Sequence, residues 1–431
     1  MRVLVLGGYG LIGREIVRRL GAEGHAVTGL GRSVAVARRR MPEVGWIEAD
    51  MARLVRPEHW EPWVAGVDVV VNAAGALQDS PRDDLQAIHA RTVAALANAA
   101  ARADVKRLVQ ISAVGAAPGA GTAFLRTKAE GDAAVRGAAV DWVILRPGLV
   151  IAPIPYGGTA LLRGLAAVPL VTPLVRADSP VQTIGVADLA AAVSHAVEGR
   201  IPAKVDLDLV EPDMRSLAET VGQFRRWLGL SPVRVVRLPD FVAGLASGAA
   251  DLLGLLGWRS PLRTTAMAVM ADGVTGDPAP ARTLLGDSFS PLPQVLATMP
   301  AGVAELWFAR LWLLKPVVLG GLAAFWGISG LIGLAEAPAA TAILTARGMA
   351  PEPAAAAVLA GSVVDLGLGL GVLVRRFARP ALLGMIFVTL AYLAGSVAFA
   401  PDLWRDPLGP MVKAIPAALL AVVALALLDE R

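Results

Sequence analysis

Residues 1–17 read MRVLVLGGYGLIGREIV, in which a short apolar run, a glycine-rich turn and an amphipathic segment follow one another directly. The run Val3–Leu6 is typical of a buried strand, and from Leu11 to Leu20 the apolar residues recur at helical spacing. A strand that passes through glycines into a helix predicts the first unit of an α/β fold. The apolar run is far shorter than the core of a signal peptide, so we expect this part of the chain to stay in the cytosol.

The glycines of this turn fit two spacings of a dinucleotide-binding loop. Gly7, Gly10 and Gly13 fit G-x-x-G-x-x-G, and Gly8, Gly10 and Gly13 fit G-x-G-x-x-G. Such glycines let the backbone turn tightly and approach a pyrophosphate, which binds the N–H groups at the helix start. The alternative is a turn with a purely structural role. We predict cofactor contacts along the whole loop, from Gly7, Gly8, Tyr9, Gly10, Leu11, Ile12 and Gly13.

Strand and helix patterns then alternate through the first half of the chain. Helical patterns cover Asp83–Ala103 and Thr122–Gly137. The further predicted strands are Val27–Leu30, Gly45–Ala49, Asp68–Val71, Arg107–Ile111 and Asp141–Leu145. This alternation predicts an α/β doubly wound parallel sheet, a Rossmann fold, with ligands beyond the carboxyl ends of the strands.

Residues at the predicted strand ends indicate which dinucleotide binds. No acid follows the second strand, where NAD sites carry one for the ribose 2′-hydroxyl, and Arg32 and Ser33 stand there instead. We therefore predict NADP, with NAD as the second choice; the alternative for Arg32 is an ordinary surface arginine. Asp50, beside Met51, is expected at the adenine edge or as a helix cap. The small residues after the fourth strand allow close approach to the cofactor, and are Asn72, Ala73, Ala74 and Gly75.

Taken together, these residues resemble the short-chain dehydrogenase/reductase superfamily in its extended or atypical branch. The resemblance covers about residues 1–230. It also includes Ser112, Lys128 and the run Arg146, Pro147, Gly148, which are further predicted site residues. It implies a Ser…Tyr-x-x-x-Lys site in which tyrosine moves a proton, lysine lowers its pKa and binds the nicotinamide ribose, and serine orients the substrate. Phe124 stands at the tyrosine position, and a phenyl ring cannot exchange a proton. Tyr156 and His89 are the remaining acid–base candidates.

Atypical members without the tyrosine include the complex I accessory-subunit group, which this chain also resembles. That group is taken to hold NADPH structurally, so the resemblance equally implies a binding role without catalysis.

Composition excludes several other classes of function. The chain has 431 residues, no cysteine, four histidines and a net charge of only +4. Disulfides, thiolate catalysis and Cys-ligated metals are excluded, and we expect no metal site. Without a dense basic run, nucleic acid is not an expected partner.

The middle of the chain is predicted to contain both helices and irregular structure. The run Ala160–Val175 is predicted as a core helix, with an apolar lid as the alternative, and Ser216–Leu230 as an amphipathic helix capped by Ser216. Phe241–Trp258 is apolar apart from one acid, which favours an interfacial or buried helix. Asp272–Pro293 is expected to be an irregular connector.

Four late segments have the composition of membrane spans: Pro316–Ala335, Ala354–Val374, Ala381–Ala400 and the shorter Ala414–Leu428. This part resembles the DoxX-like membrane family. We expect three regions: residues 1–230 with substrate-side insertions from about 151, a helical or irregular connector at 231–305, and a transmembrane four-helix bundle at 306–431.

Loop charges and small residues predict how the bundle is arranged. Arg375, Arg376 and Arg379 are expected in a loop between the second and third spans, which places that loop and both termini on the cytoplasmic side of the inner (plasma) membrane. Helix contacts are expected at Ala323 with Gly327 and at Gly367 with Gly371. Asp365 lies in mid-span, where a carboxylate has either a functional or a structural hydrogen-bonding role.

Three functions remain open from the sequence. The first is a membrane-anchored NADP-dependent oxidoreductase or isomerase acting on a small lipophilic molecule such as a quinone or isoprenoid. The second is a non-catalytic NADPH-binding sensor or assembly factor that docks a membrane protein complex. The third is a solute transporter or channel regulated by the cofactor, for which Asp365 is the only support.

Overall fold

The computed structural model describes residues 1–80, 83–258, 260–286, 289–407 and 409–428. The chain divides into two compact units. Met1–Asp251 and Ser260–Ala309 form the first unit, and Leu252–Arg259 and Arg310–Arg431 form the second.

A parallel sheet of seven strands organises the first unit, in the order β11-β6-β5-β4-β1-β2-β3. The strands are added in one direction from β1 to β3 and then in the other direction from β4 onward, so the order changes between β1 and β4. Doubly wound sheets bind ligands at such a point. The strands of the unit are β1 Arg2–Leu6, β2 Ala26–Gly31, β3 Gly45–Glu48, β4 Val69–Asn72, β5 Arg107–Ile111, β6 Trp142–Pro147, β7 Leu149–Ile151, β8 Val171–Val175, β9 Pro180–Val181, β10 Thr183–Gly185, β11 Val205–Leu209, β12 Arg215–Ser216 and β13 Arg234–Leu238.

Both faces of this sheet are covered. Along β1, Val3 and Val5 belong to one buried apolar cluster and Leu4 and Leu6 to another. Because successive side chains point to opposite faces, a strand buried on both sides is continuously apolar. The six predicted strands are confirmed as β1–β6, each within two residues of the expected bounds.

The helices of the first unit cover the sheet and continue beyond it. Thr122 begins α5 as predicted, because its Oγ1 accepts the Leu125 N–H at 3.3 Å. A π-helical turn at Ala87–Arg91 precedes α4. The helices are α1 Gly13–Ala22, α2 Ala35–Arg40, α3 Glu61–Val64, α4 Thr92–Arg102, α5 Ala123–Arg136, α6 Gly157–Ala166, α7 Val186–Val197, α8 Leu217–Trp227, α9 Asp240–Leu255, whose last four residues belong to the second unit, α10 Thr264–Asp272, α11 Ala279–Leu285 and α12 Leu292–Ala297.

Two predictions for the middle segment need correction. The apolar run Ala160–Val175 is not one helix: α6 ends at Ala166, and the remainder forms β8, which pairs in parallel with β13. Pro169 and Pro173 prevent a continuous helix across this run. Asp272–Pro293 is not wholly irregular, because α11 lies inside it.

The middle segment also carries the two helices predicted at Ser216–Leu230 and Phe241–Trp258. Ser216 caps α8 as expected: its Oγ accepts the Glu219 N–H at 3.2 Å, and Glu219 accepts the Ser216 N–H at 2.8 Å. Within Phe241–Trp258 the helix is α9, of which only Ser247 and Ala250 are buried. Most of its surface is therefore exposed apolar area, and a core position is excluded.

The second unit is helical. Its helices are α13 Val303–Ala335, which begins in the first unit, α14 Ala337–Thr345, α15 Pro351–Leu373, α16 Arg375–Phe399 and α17 Pro410–Leu427. Four of them, α13, α15, α16 and α17, are long and apolar enough to cross a membrane. The predicted arginine loop is wrong as a loop, since only Val374 separates α15 from α16 and the three arginines lie in the first turns of α16.

Small residues bring α13 and α15 together. A Cβ at Gly369 would lie 2.6 Å from the Gly327 nitrogen and 3.0 Å from the Ala323 oxygen. The predicted contact at Ala323 and Gly327 is thus confirmed, but Gly369 is its partner. At Gly367 a Cβ would meet open space, whereas one at Gly371 would lie 3.3 Å from the Ala381 Cβ of α16, so of this pair only Gly371 makes a close contact.

Asp365 ties three helices of the second unit together. It is 8% exposed, and its two carboxylate oxygens accept hydrogen bonds from Ser329 of α13 at 3.4 Å and Tyr392 of α16 at 3.1 Å. Asp365 therefore makes the hydrogen bonds of a structural role, and a functional role stays a prediction.

Candidate functional site

The glycine loop packs so closely against neighbouring backbone that a side chain would not fit at three of its positions. Gly7 has φ +69°, and a Cβ there would lie 2.9 Å from the Ala74 Cα. A Cβ at Gly8 would meet the Gly29 Cα at 3.1 Å, and one at Gly13 would strike the Gly7 oxygen. The following helix α1 has Ile12 at its N-cap, with no side-chain cap. At this helix start the Arg14 and Glu15 N–H groups donate to the Gly10 and Ile12 carbonyls, both at 3.1 Å. A glycine turn that leads into a helix N-terminus is the arrangement that fits a dinucleotide pyrophosphate.

The carboxyl end of β2 brings two predicted cofactor residues together. The Tyr9 ring lies against Gly31, where a Cβ would overlap it. Arg32 extends from the next position and pairs with Asp83 at 2.8 Å, while Ser33 is exposed. The guanidinium expected to bind a 2′-phosphate is thus held beside a carboxylate.

Asp50 lies just after β3, where it caps a turn. Its Oδ1 accepts the Ala52 N–H at 3.2 Å and caps the 3-10 turn Met51–Arg53. Met51 is buried in the core, and its carbonyl accepts from Thr92 at 2.6 Å. The capping role is therefore present, and a contact of Asp50 with the adenine stays a prediction.

Asn72 shapes the end of β4. Its Nδ2 donates to Gln110 Oε1 at 2.9 Å, and its Oδ1 accepts the Ala74 N–H at 3.2 Å. The backbone then runs through Ala73 to Gly75, which approaches Lys128: a Cβ at Gly75 would lie 3.4 Å from the Lys128 Nζ. The segment predicted to pass close to the cofactor therefore also borders Lys128.

Ser112 and Lys128 lie together at the end of β5, with an acid that sequence analysis did not single out. Lys128 is buried and its Nζ donates to the Ile111 carbonyl at 2.9 Å. Ser112 Oγ donates to Asp132 Oδ2 at 2.6 Å. Asp132 follows Lys128 by one turn of α5 and is fully buried, so the i, i+4 spacing was a usable signal. Arg146 adds a second cation, 3.6 Å from Asp132.

Burial dominates the proton affinities of this group. Burial lowers the pKa of Lys128 to about 8, and the nearby Asp132 carboxylate only partly opposes this. Burial also raises the pKa of Asp132, against the Ser112 hydrogen bond and the charges of Lys128 and Arg146. Both groups thus shift toward their neutral forms.

His89 lies in the same place but is fully engaged. Its Nε2 accepts the Ala76 N–H at 3.1 Å, which assigns the proton to Nδ1 and makes that atom the donor to Thr127 Oγ1 at 3.0 Å. Burial, with the charge of Lys128, holds the pKa of His89 well below its usual value. A neutral imidazole with both nitrogens bonded fixes the backbone after Gly75 and has no free proton to transfer.

Phe124 packs edge-on against this imidazole, with ring centroids 5.7 Å apart. Tyr156, the other tyrosine considered, begins α6 and is 55% exposed. Arg146 and Pro147 end β6, and the Gly148 N–H donates to the Leu209 carbonyl at 3.1 Å. A Cβ at Gly148 would lie 2.6 Å from the Gln182 oxygen, so glycine is needed there for backbone packing.

A separate group of side chains brings possible metal ligands together at the other end of the sheet. Atoms of Glu23, His25 and Glu198 lie within 4.8 Å of one another. Glu23 pairs with Arg19 at 2.9 Å, and Glu198 with Arg200. These carboxylates are already neutralised by arginine, and the group is consistent with an ion-pair cluster.

Two family models match the chain. Residues 7–166 match the NAD(P)H-binding family, and residues 323–422 match the DoxX-like family. Among curated proteins, the ceramide reductase of Caulobacter vibrioides is 26% identical over 242 residues, which cover 55% of this chain and 74% of that protein.

Solved structures share the fold of the first part. A putative epimerase from Burkholderia cenocepacia has a TM-score of 0.54 at 19% identity, covering 72% of this chain and 98% of its own. The Bordetella bronchiseptica enzyme WbmG, in complex with NAD, has a TM-score of 0.52 at 19% identity, covering 71% and 93%. The chain therefore has an NAD(P)-binding Rossmann domain, followed by a DoxX-like domain with four helices apolar enough to span a membrane.

Proposed function

We propose that this protein is a membrane-anchored NAD(P)-dependent oxidoreductase that reduces a carbonyl or quinone group of a lipid-soluble substrate. The observation that carries the proposal is the buried pair of Ser112 and Lys128 at the carboxyl end of β5, beside Gly75 and on the same sheet edge as the glycine loop. When bound, NAD(P)H supplies the hydride for such a reaction.

Lys128 is the proposed proton donor. Reduction of a ketone places one hydride on carbon and one proton on oxygen, and Phe124 cannot provide that proton. An ammonium carries three hydrogens, of which the Ile111 carbonyl accepts one. Because burial lowers the pKa of Lys128 to about 8, the group is protonated at neutral pH yet releases its proton more readily than an exposed lysine.

Ser112 is the proposed orienting group, and Asp132 positions it. With Asp132 ionised, the Ser112 hydrogen is directed at that carboxylate at 2.6 Å. Burial raises the pKa of Asp132; in its protonated form the carboxyl donates to Ser112 Oγ instead. The Ser112 hydrogen is then available to a substrate oxygen. Asp132 therefore acts through Ser112 and not on the substrate.

The lipid-soluble substrate class rests on two observations. The curated relative is named a ceramide reductase, which is an activity on a lipid. The Rossmann domain is also joined covalently to four helices long and apolar enough to cross a bilayer. Long-chain ketones are therefore tested as substrates together with quinones and isoprenoids. NADP is the proposed cofactor because of Arg32.

The test is turnover by the full chain in detergent. NADPH oxidation is followed with a panel of long-chain ketones, short-chain quinones and enones. Lys128→Met is expected to lower kcat/KM by about 100-fold or more. Lys128→Arg should keep NADPH binding but lose kcat, because a guanidinium does not release its proton. Lys106→Met is the control, since Lys106 is 71% exposed and pairs with Asp68 away from the site.

The pH profile adds an independent readout. Deprotonation of Lys128 removes the proposed acid, so the rate of ketone reduction should fall as pH rises through about 8. A lysine of ordinary pKa would sustain the rate to about pH 10. A flat profile across pH 8, or full activity of Lys128→Met, would refute this role.

A non-catalytic NADPH-binding role is the second candidate. Phe124 in place of the tyrosine, together with the Ser112 hydrogen bond to Asp132, favours it. Tight NADPH binding without turnover across the whole panel would select this role over the enzyme.

A further inference from the structure

Helix α9 presents a continuous apolar face to its surroundings. Its large exposed side chains are Phe241, Leu245, Leu252 and Leu255, each between 63% and 75% exposed. They stand at positions i, i+4, i+11 and i+14, which lie within about 80° of one another around a helix of 3.6 residues per turn. One continuous helix carries all four residues, so their common face follows from helix geometry alone.

The polar residues of α9 lie away from this face. Within Asp240–Leu255, all of which the structure describes, they are Asp240, Ser247 and Asp251. Each is about 100° or more around the helix from the centre of the apolar face. Ser247 is buried, and Asp251 accepts hydrogen bonds from Arg263 Nε at 2.8 Å and from the Thr264 hydroxyl. The helix is therefore attached to the protein by its polar side.

An uninterrupted apolar face of this kind needs a partner. Contiguous exposed apolar surface marks contact with a membrane or with another protein. The length of α9 argues against a further membrane span, because 16 residues rise about 24 Å and a bilayer core is about 30 Å thick. A short helix with one apolar face and one polar face is typical of a helix that lies in the plane of a membrane surface.

The residues that follow α9 indicate that its end is at such a surface. Residues 252–259 belong to the second unit. There the Leu256 carbonyl accepts the Arg375 N–H at 3.0 Å, and the Trp258 Nε1 donates to the Leu373 carbonyl at 2.6 Å. Both contacts are made where α15 ends and α16 begins, two helices that are apolar enough to cross a membrane. Because such helices end at the membrane surface, where tryptophan is enriched, α9 leads directly to that level.

We propose that α9 lies in the plane of the membrane surface, with the face of Phe241, Leu245, Leu252 and Leu255 inserted among the acyl chains of a phospholipid bilayer. The bilayer is favoured over a second copy of the chain because α9 continues without a break into the unit that holds the candidate spans. The Rossmann domain is then attached to the membrane through α9 as well as through the spans. The inference does not depend on the proposed enzymatic activity.

Site-directed spin labelling of the full chain tests the position of α9. The sequence contains no cysteine, so Leu245→Cys and Leu252→Cys each carry a single nitroxide. The labelled protein is reconstituted in vesicles of phosphatidylcholine and phosphatidylglycerol. Power saturation then measures collisions with oxygen, which concentrates in the bilayer, and with a water-soluble nickel chelate. We expect oxygen collisions to exceed nickel collisions at both positions, at a depth of about 5–10 Å.

Ala246→Cys is the matched control on the same helix. Ala246 is exposed but lies about 135° around the helix from the centre of the apolar face, so its label should show a lower ratio of oxygen to nickel collisions. Phe387→Cys, exposed in the middle of α16, gives the value for the bilayer interior. Ala22→Cys at the end of α1 gives the value for water.

Two results would overturn the proposal. Nickel collisions in excess at both Leu245→Cys and Leu252→Cys would place this face in water. Low collision rates with both reagents, together with an immobilised spectrum, would show that protein covers the face, either this chain or a second copy, and would exclude the lipid assignment.

Discussion

At the scale of single residues, the site groups three ionisable side chains. Lys128 and Asp132 are buried beneath the end of β5, and Arg146, whose side chain is 21% exposed, lies 3.6 Å from Asp132, in a region where an isolated charge would be costly. Asp132 accepts a hydrogen bond from the Ser112 hydroxyl, so Ser112 is coupled to the helix that carries Lys128. Removing one member therefore affects the others.

Arg32 and Asp83 give a residue-scale prediction about cofactor choice. Their 2.8 Å ion pair puts a negative charge where a 2′-phosphate would approach. Asp83→Asn should therefore raise affinity for NADPH relative to NADH, by about threefold to tenfold for one charge near a surface. Arg32→Ala should lower the same ratio. Fluorescence titration with both dinucleotides at low ionic strength measures it.

Asp84→Asn is the control for this pair, because Asp84 is the next residue and pairs with Arg91 at 2.8 Å. It should leave the ratio unchanged. If Arg32→Ala also leaves it unchanged, discrimination of the 2′-phosphate does not involve Arg32.

At the scale of elements, the sequence predicts what is local and misses what is long-range. Strands β1–β6 and the cap of α8 follow from apolar runs and capping residues that lie within one element. The pairing of β8 with β13 joins residues about sixty positions apart, and nothing in either segment identifies its partner. The short helix α11 was missed because it lies in a proline-rich stretch, which predicts irregular structure.

In the candidate site, too, the sequence predicts local features and misses long-range contacts. The glycine loop, Ser112 and Lys128 follow from motif spacing. The engagement of His89 with Ala76 and Thr127 depends on how α5 packs near β4, which the sequence does not encode locally. Asp132 was accessible from helical spacing, but its link to Ser112 required the tertiary structure.

Close helix packing in the second unit gives an element-scale prediction. A Cβ at Gly330 of α13 would lie 2.6 Å from the Ser362 oxygen and 2.7 Å from the Leu366 nitrogen, both backbone atoms of α15. Gly330→Ala should therefore push the two helices apart and destabilise the unit by about 1–3 kcal/mol. Thermal unfolding in detergent measures this.

Gly320→Ala in the same helix is the matched control, because its Cβ would meet open space. Alanine is the better helix former, so this variant should be neutral or slightly stabilised. Equal stability of the two variants would show that the helices are not in backbone contact at Gly330.

At the scale of the whole molecule, an even number of spans puts both termini on one side of the bilayer. The cations at Lys315 and in the first turns of α16 favour the cytoplasmic side for that end. A Rossmann domain that uses NAD(P) belongs on the same side, where the dinucleotide pool is found. The proposed orientation in the plasma membrane therefore satisfies the helices and the cofactor site together.

The absence of cysteine from the sequence allows a clean test of this orientation. Ala22→Cys at the end of α1 and Ala346→Cys after α14 each introduce one exposed thiol. In intact cells, a membrane-impermeant maleimide should label Ala346→Cys and spare Ala22→Cys until the membrane is permeabilised. The unaltered chain gives the background. Labelling of Ala22→Cys in intact cells would show that the orientation is the reverse of the one proposed. The dinucleotide site would then lie on the side of the membrane away from its cytoplasmic cofactor.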